Sequence, residues 1–285
     1  MAAAAVDATR STTSSAGGGA GAYETRKAVE EYLQFHFGQP DEVMPYNVGP
    51  KAGLPMHVLA RAPCCQAARP PAGEAGEATA LDVGCAVGGA SFALARAFPH
   101  VLGIDFSQHF VDAANTMKER GWMRYTAAEE GELTAERVAA VPEDVDRSRV
   151  RFQQARRALC WRGDACSLPA QLGPVDAVLA ANLLCRLPEP TTFLARLPSL
   201  IKPGGVLVLV SPYSWLPAWT AREKWLGGFK DQARLLPSVW TADSLKQLVG
   251  DHFSLVEERE VPFVIREHRR KFQWGVSHAM VWRRK

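Results

Sequence analysis

The 285-residue chain has no apolar run long enough to cross a bilayer as a helix, which leaves no candidate membrane span. Its six cysteines, Cys64, Cys65, Cys85, Cys160, Cys166 and Cys185, form no C-x-x-C pair and no zinc-type spacing. That argues against a metal centre. Scattered thiols suit a reducing compartment, so a cytoplasmic protein is expected. Charge of one sign is scarce too, with 33 basic residues against 30 acidic ones. A net +3 is too little to argue for nucleic acid, although Arg266, Arg269, Arg270 and Lys271 cluster, as do Arg283, Arg284 and Lys285. Residues 1–22 lack large apolar side chains almost entirely. They cannot offset their ordering entropy and are predicted to be a disordered tail. The tail is Ser/Thr-rich and acid-poor, as organelle-targeting segments are, but Arg10 is its only base.

What is present is an alternation of strand-like and helix-like segments over residues 23–285, predicted as a single domain. Residues 23–77 read as an N-terminal helical cap. Ala28, Val29, Tyr32, Leu33 and Phe35 recur at helical spacing up to Gly38, and a second helix is expected over residues 55–65. The core follows from residue 78: strand 80–83, helix 91–98, strand 101–105, and a helix capped by Ser107 and running to Arg120. An acid-rich insertion, 122–149, is expected to carry a helix or two. The third strand is either 150–153 or 158–162. Strand 176–180, helix 191–201 and strand 206–211 come next, then a helix capped by Thr241 and two closing strands, 253–266 and 275–284. Strands alternating with helices and ending in a hairpin predict a doubly wound, mostly parallel α/β sheet with an antiparallel edge.

The most informative stretch is Leu81-Asp82-Val83-Gly84-Cys85-Ala86-Val87-Gly88-Gly89. Small residues at 84, 86 and 88 let the backbone turn sharply after a strand and approach a ligand. Nicotinamide-dependent oxidoreductases share such glycines, so the surrounding acids decide. Asp82 would be unhelpful beside a pyrophosphate but can accept from an ammonium group. Asp105, closing the next strand ahead of Phe106 and Ser107, can accept both hydroxyls of a ribose. Asp164, followed by Ala165, is a third acid placed to meet an adenine amino group.

These residues, with Asn182 and Lys202-Pro203-Gly204-Gly205, resemble the successive motifs of class I S-adenosylmethionine-dependent methyltransferases. The resemblance implies a seven-stranded Rossmann-like sheet. It also implies S-adenosyl-L-methionine as cofactor, held by Asp82, Gly84, Cys85, Ala86, Gly88, Asp105, Phe106, Ser107, Asp164, Ala165 and Asn182. Further segments, among them Tyr23-Glu24-Thr25, residues 31–38 and 180–187, Ser211-Pro212-Tyr213-Ser214-Trp215, residues 223–229 and Arg270-Lys271-Phe272-Gln273, resemble the C-terminal methyltransferase domain of ovothiol-synthesising enzymes. That domain's acceptor is thought to be an imidazole nitrogen of 5-thiohistidine, and the extra residues around 155–161 depart from its pattern.

A neutral imidazole nitrogen needs positioning more than a dedicated base. Asn182 and Tyr213, after strand ends on the cofactor side, are expected to provide it. A zwitterionic amino acid also needs a cation for its carboxylate, expected from Arg269 or Lys271, and an acid for its ammonium, expected from Glu24. Tyr23, Tyr32, His36 and Trp215 complete the expected substrate-binding set. The expected partner is a small molecule, with the chain a monomer or homodimer, bound to neither nucleic acid nor membrane. Rival readings are a methyltransferase for another small heteroaromatic or amino-acid-like substrate, an oxidoreductase, and a non-catalytic scaffold.

Overall fold

The computed structural model describes residues 20–49, 77–154, 165–169, 172–230 and 238–285. The expected tail up to residue 19, the helix at 55–65, the alternative strand at 158–162 and Asp164 lie outside the described residues.

A short 3-10 turn, Ala20–Tyr23, opens the described chain and reaches into the segment expected to be a tail. Helix α1 (Arg26–Phe37) starts where Thr25 accepts a hydrogen bond from the Ala28 amide and stops at Gly38. A four-residue helix α2 (Pro40–Val43) follows. Strand β1 (Thr79–Val83) leads through the glycine loop into helix α3 (Gly89–Leu94). Strand β2 (His100–Asp105) leads into helix α4 (Gln108–Arg120), where the Ser107 hydroxyl accepts from the Phe110 amide as expected of a cap.

The insertion departs from expectation. It forms an antiparallel hairpin, β3 (Trp122–Glu130) and β4 (Leu133–Ala140), and its helical part is a single 3-10 turn, Arg147–Arg149. Only Gly131 and Glu132 connect the two strands, with Gly131 at φ +57°. Tyr125, Ala127 and Ala139 are buried against the core, and this period-two burial outweighs the helix-favouring composition of Ala and Glu.

The third sheet strand resolves to β5 (Val150–Gln154). Strand β6 (Val175–Ala181), helix α5 (Pro190–Leu200), strand β7 (Ile201–Ser211), helix α6 (Thr241–Gly250), and strands β8 (Phe253–His268) and β9 (Lys271–Arg284) complete the fold. Thr241 begins α6 but is not its cap. Its hydroxyl instead accepts from the Trp215 indole at 3.0 Å.

The seven-stranded sheet runs β5-β2-β1-β6-β7-β9-β8. β5, β2, β1, β6 and β7 are parallel, and β9 is antiparallel to both neighbours. Alternation along the strands fills both faces. On β7, Val206, Val208 and Val210 join one core with Phe92, Phe98 and Phe110, while Leu207 and Leu209 join the other with Phe193, Leu197 and Trp282. Each fully buried side chain of this size contributes about 1.5–3 kcal/mol. Lys202 of the Lys-Pro-Gly-Gly segment braces the sheet. Its ammonium lies 3.0 Å from Asp176, whose carboxylate also accepts from the Thr79 amide at 2.8 Å. From β1 the chain winds one way to β2 and β5 and the other way through β6 to β7. The reversal opens a crevice beyond the carboxyl ends of β1 and β6, where open α/β sheets bind ligands.

Candidate active site

A cavity of about 230 Å³ occupies that crevice. Strand ends build its floor: Val83 closing β1 with Gly84 and Ala86 after it, Asp105 closing β2 with Phe106 after it, Asn182 and Leu183 after β6, and Pro212 and Ser214 after β7. Ala165 also lines it. The opposite wall is aromatic. Tyr23 stacks on Trp219 with centroids 5.1 Å apart, and Tyr32 packs on Phe110 at 4.8 Å. Burial pushes the Tyr32 hydroxyl well above its ordinary pKa, with the nearby Tyr23 adding to the effect, so Tyr32 stays neutral.

The glycine loop is shaped by close approach. Gly88, the residue ahead of α3, sits at φ +89°, and a Cβ there would meet the Phe152 ring at 2.5 Å. A Cβ on Gly89 would meet His36 Nδ1 at 2.6 Å. This second contact brings α1 onto the loop: the Gly89 amide donates to His36 Nδ1 at 3.2 Å. A ring nitrogen that accepts carries no proton, which leaves Nε2 as the place for the ring proton of His36.

Asp105 is the buried acid of the floor, 8% exposed. Its carboxylate accepts from the Ala86 and Ser107 amides, each at 2.9 Å, which fixes its orientation at the end of β2. Ala86 takes φ +47°, a region disfavoured for residues with a Cβ, and so presents its amide to Asp105. Asn182, at φ +53°, accepts from Ser277 through Oδ1 at 2.8 Å and anchors its own amide on Val210.

Of the expected cofactor residues, Gly84, Ala86, Asp105, Phe106, Ala165 and Asn182 line the cavity. Asp82 does not. It is 1% exposed and accepts from the Ser91 hydroxyl at 2.6 Å, so it braces β1 against α3 instead of receiving an ammonium group. Cys85 is buried beneath the loop, Gly88 sits behind it, and Ser107 is occupied with Asp105, the α4 cap and the Tyr23 carbonyl.

The expected substrate residues divide likewise. Tyr23, Tyr32, His36 and Asn182 line the cavity. Glu24 lies outside it, taking the Gln108 amide at 3.2 Å and the His109 ring at 2.5 Å. Tyr213 turns away through φ +54° to bond His278 at 2.8 Å, which is itself 3.2 Å from Glu258. Trp215 is buried on Trp225 and Thr241. Arg269 and Lys271 sit on an exposed turn, where Lys271 pairs with Glu267 at 2.6 Å. The basic turn therefore offers no clamp for a carboxylate in the cavity. In their place the cavity gathers Arg186, Trp219, Phe263 and Gln273. Arg186 and Gln273 fall within the segments that drew attention in the sequence, whereas Trp219 and Phe263 carry no local signal.

These residues fit a nucleoside-bearing cofactor. A buried acid closes β2, and a loop without bulky side chains crosses β1. Both face one cavity at the switch point of the sheet. Among the described residues no helix is long and apolar enough to cross a membrane, and no cluster of His, Cys, Asp and Glu could hold a metal.

Residues 56–252 match the model of a family described as methyltransferase domain. Similar solved structures include a SAM-dependent methyltransferase from Methanosarcina mazei. It is 18% identical, with 73% of this chain and 93% of that one covered and a TM-score of 0.44. Magnesium protoporphyrin IX methyltransferase from Synechocystis, with bound SAH, is 20% identical over 72% of this chain and 74% of that one, TM-score 0.43. The N-methyltransferase NodS from Bradyrhizobium japonicum is 14% identical over 73% and 85%, TM-score 0.43. No curated protein is a significant match to the chain. Because the family model spans most of the chain, and the glycine loop and buried acid stand where a nucleoside cofactor is received, the chain belongs to the methyltransferase domain family and is an S-adenosylmethionine-dependent methyltransferase.

Proposed function

We propose that the enzyme methylates an imidazole nitrogen of 5-thiohistidine, the step that completes ovothiol A. When bound, S-adenosylmethionine supplies an electrophilic methyl group on a sulfonium. The chain's own task is to place a neutral nucleophile in line with that methyl and to keep water out. The observation that carries the reading is the lining of the cavity. Beside the glycine loop it is walled by Tyr23, Tyr32, Phe35, Phe110, Trp219 and Phe263, an aromatic lining that suits a planar ring. His36 and Gln273 line the cavity and add polar side chains to its aromatic walls. The segments similar to ovothiol-synthesising enzymes supply several of these walls, including α1 and residues 180–187.

In this reading Gly84, Ala86, Asp105, Phe106, Ala165 and Asn182 bind the cofactor, with Asp105 receiving the ribose hydroxyls. Asn182 also orients the acceptor. The test is a mass-spectrometric assay that offers 5-thiohistidine, histidine and ergothioneine side by side with S-adenosylmethionine. One added methyl on 5-thiohistidine is expected, on a ring nitrogen by fragmentation. Turnover of another heteroaromatic amino acid in preference to it would overturn the acceptor and leave the methyltransferase in place.

A further inference from the structure

We infer that Arg186 is the anion-holding residue of the cavity, binding a carboxylate of the acceptor and selecting acidic aromatic acceptors over the corresponding amines. The inference rests on the reading of this cavity as the acceptor site. It does not require the acceptor to be 5-thiohistidine.

Arg186 ends a 3-10 turn, Leu184–Arg186, that follows β6 next to Asn182. Its Nη1 donates to the carbonyls of Ser214 at 2.8 Å and Cys185 at 3.1 Å, and its guanidinium carbon lies 5.8 Å from the Trp219 ring centroid. Two carbonyls and an aromatic face hold the group in place without neutralising it. Among the described residues no carboxylate pairs with Arg186, and its Nε and Nη2 make no hydrogen bond. The other charged group of the cavity, Asp105, is committed to the Ala86 and Ser107 amides. A guanidinium does not shed its proton, so a half-buried cation stands in a mostly aromatic cavity with donors to spare. A carboxylate matches that fork in shape and charge, and an ammonium group is repelled by it. Trp219, between Arg186 and Tyr23, would let the ring of the same molecule lie beside the cation that holds its acid.

The competing explanation is that Arg186 only props the 212–214 segment. Propping would affect acids and amines alike, whereas an anion site separates them. The experiment is calorimetric titration of the full chain, saturated with S-adenosylhomocysteine, with imidazoleacetate against histamine and indoleacetate against tryptamine. The wild type is expected to bind each acid about tenfold or more tightly than its amine, and Arg186→Gln to lose that preference with S-adenosylhomocysteine affinity unchanged. Arg186→Lys, which keeps the charge but not the fork, should keep a reduced preference. Should the Gln variant fail to fold, the wild-type comparison and the Lys variant still decide. No acid preference in the wild type, or an undiminished one in Arg186→Gln, overturns the inference. With 5-thiohistidine as substrate, Arg186→Gln should raise KM more than about tenfold, whereas the KM of the decarboxylated analogue should not rise. If the wild type does not methylate 5-thiohistidine yet prefers acids through Arg186, the proposed acceptor falls and the anion site stands.

Discussion

At the scale of single residues, burial works against the charge of two acids at the ends of β1 and β2. Burial pushes Asp105 up to about 6, against amide hydrogen bonds from Ser107, Ala86 and Phe106, and pushes Asp82 up to about 7, against its bond from Ser91. Both start from an ordinary value of 3.8. A carboxyl whose pKa is higher folded than unfolded binds more protons in the folded state between the two values. The contribution of these two groups to stability therefore falls as pH rises from 3.8 to about 7. Asp82→Asn, which can still accept from Ser91, should flatten that part of the melting temperature against pH measured by calorimetry. An unchanged slope would mean Asp82 keeps its ordinary acidity. Cofactor binding runs the other way, because the ionised carboxylate is the better acceptor of ribose hydroxyls. S-adenosylhomocysteine affinity should fall below about pH 6, and Asp105→Ala should weaken it more than about tenfold at neutral pH. Wild-type affinity in that variant would remove Asp105 from the site. Gly89→Ala tests the junction of loop and cap. Its Cβ would lie 2.6 Å from His36 Nδ1, so a loss of about 1–3 kcal/mol in chemical denaturation is expected.

At the scale of elements, the cap and the hairpin hold each other through one buried cation. Arg266 of β8 is 3% exposed; it donates to the Glu42 carbonyl of α2, and its Nη2 lies 2.8 Å from Glu129 of β3. Arg137 of β4 stands 3.7 Å from both Glu129 and Glu42. Four elements thus converge on one network of alternating charge, and removing a member leaves a buried charge short of its partner. Glu129→Gln should cost on the order of 3 kcal/mol in urea unfolding, far more than an exposed pair such as Arg124–Glu136 would. A cost below about 1 kcal/mol, the range of surface pairs, would show that solvent already screens the network.

At the scale of the whole molecule, the order of the sheet brings the ends of β1, β2, β6 and β7 to one crevice, and the turn Ala20–Tyr23 adds a wall to it. Tyr23 belongs to that turn, packed on Trp219, Phe110 and Tyr32, with its carbonyl accepting from Ser107. Deleting residues 1–19 should leave turnover and melting temperature unchanged. Deleting residues 1–24 should lower both, since a tyrosine's burial (about 1.5–3 kcal/mol) goes with a wall of the cavity. Equal behaviour of the two truncations, followed by differential scanning fluorimetry and methyl transfer, would show that the turn is dispensable.

The division between sequence and tertiary structure follows the range of the interactions. Local periodicity and turn chemistry made α1, β1, β2, α4 and the closing hairpin legible. The placement of the glycine loop, Asp105 and Asn182 along the cavity was legible as well, because it follows from their position at strand ends. Side-chain direction was not. Asp82 reads as a ligand for an ammonium group until Ser91 is seen to take it, and Tyr213 as a site residue until its backbone turns it toward His278. The basic turn at Arg269 and Lys271 drew attention by its charge, but the length of β8 and β9 carries it into solvent. In the 122–149 insertion, composition favoured helix, and burial against the core decided for strands. The sequence by itself determined where the cofactor loop lies and what encloses it on the sheet. Only the packing of distant segments decided that Arg186, Trp219 and Phe263 meet there, because cavity walls are set by contacts between elements that no local pattern records.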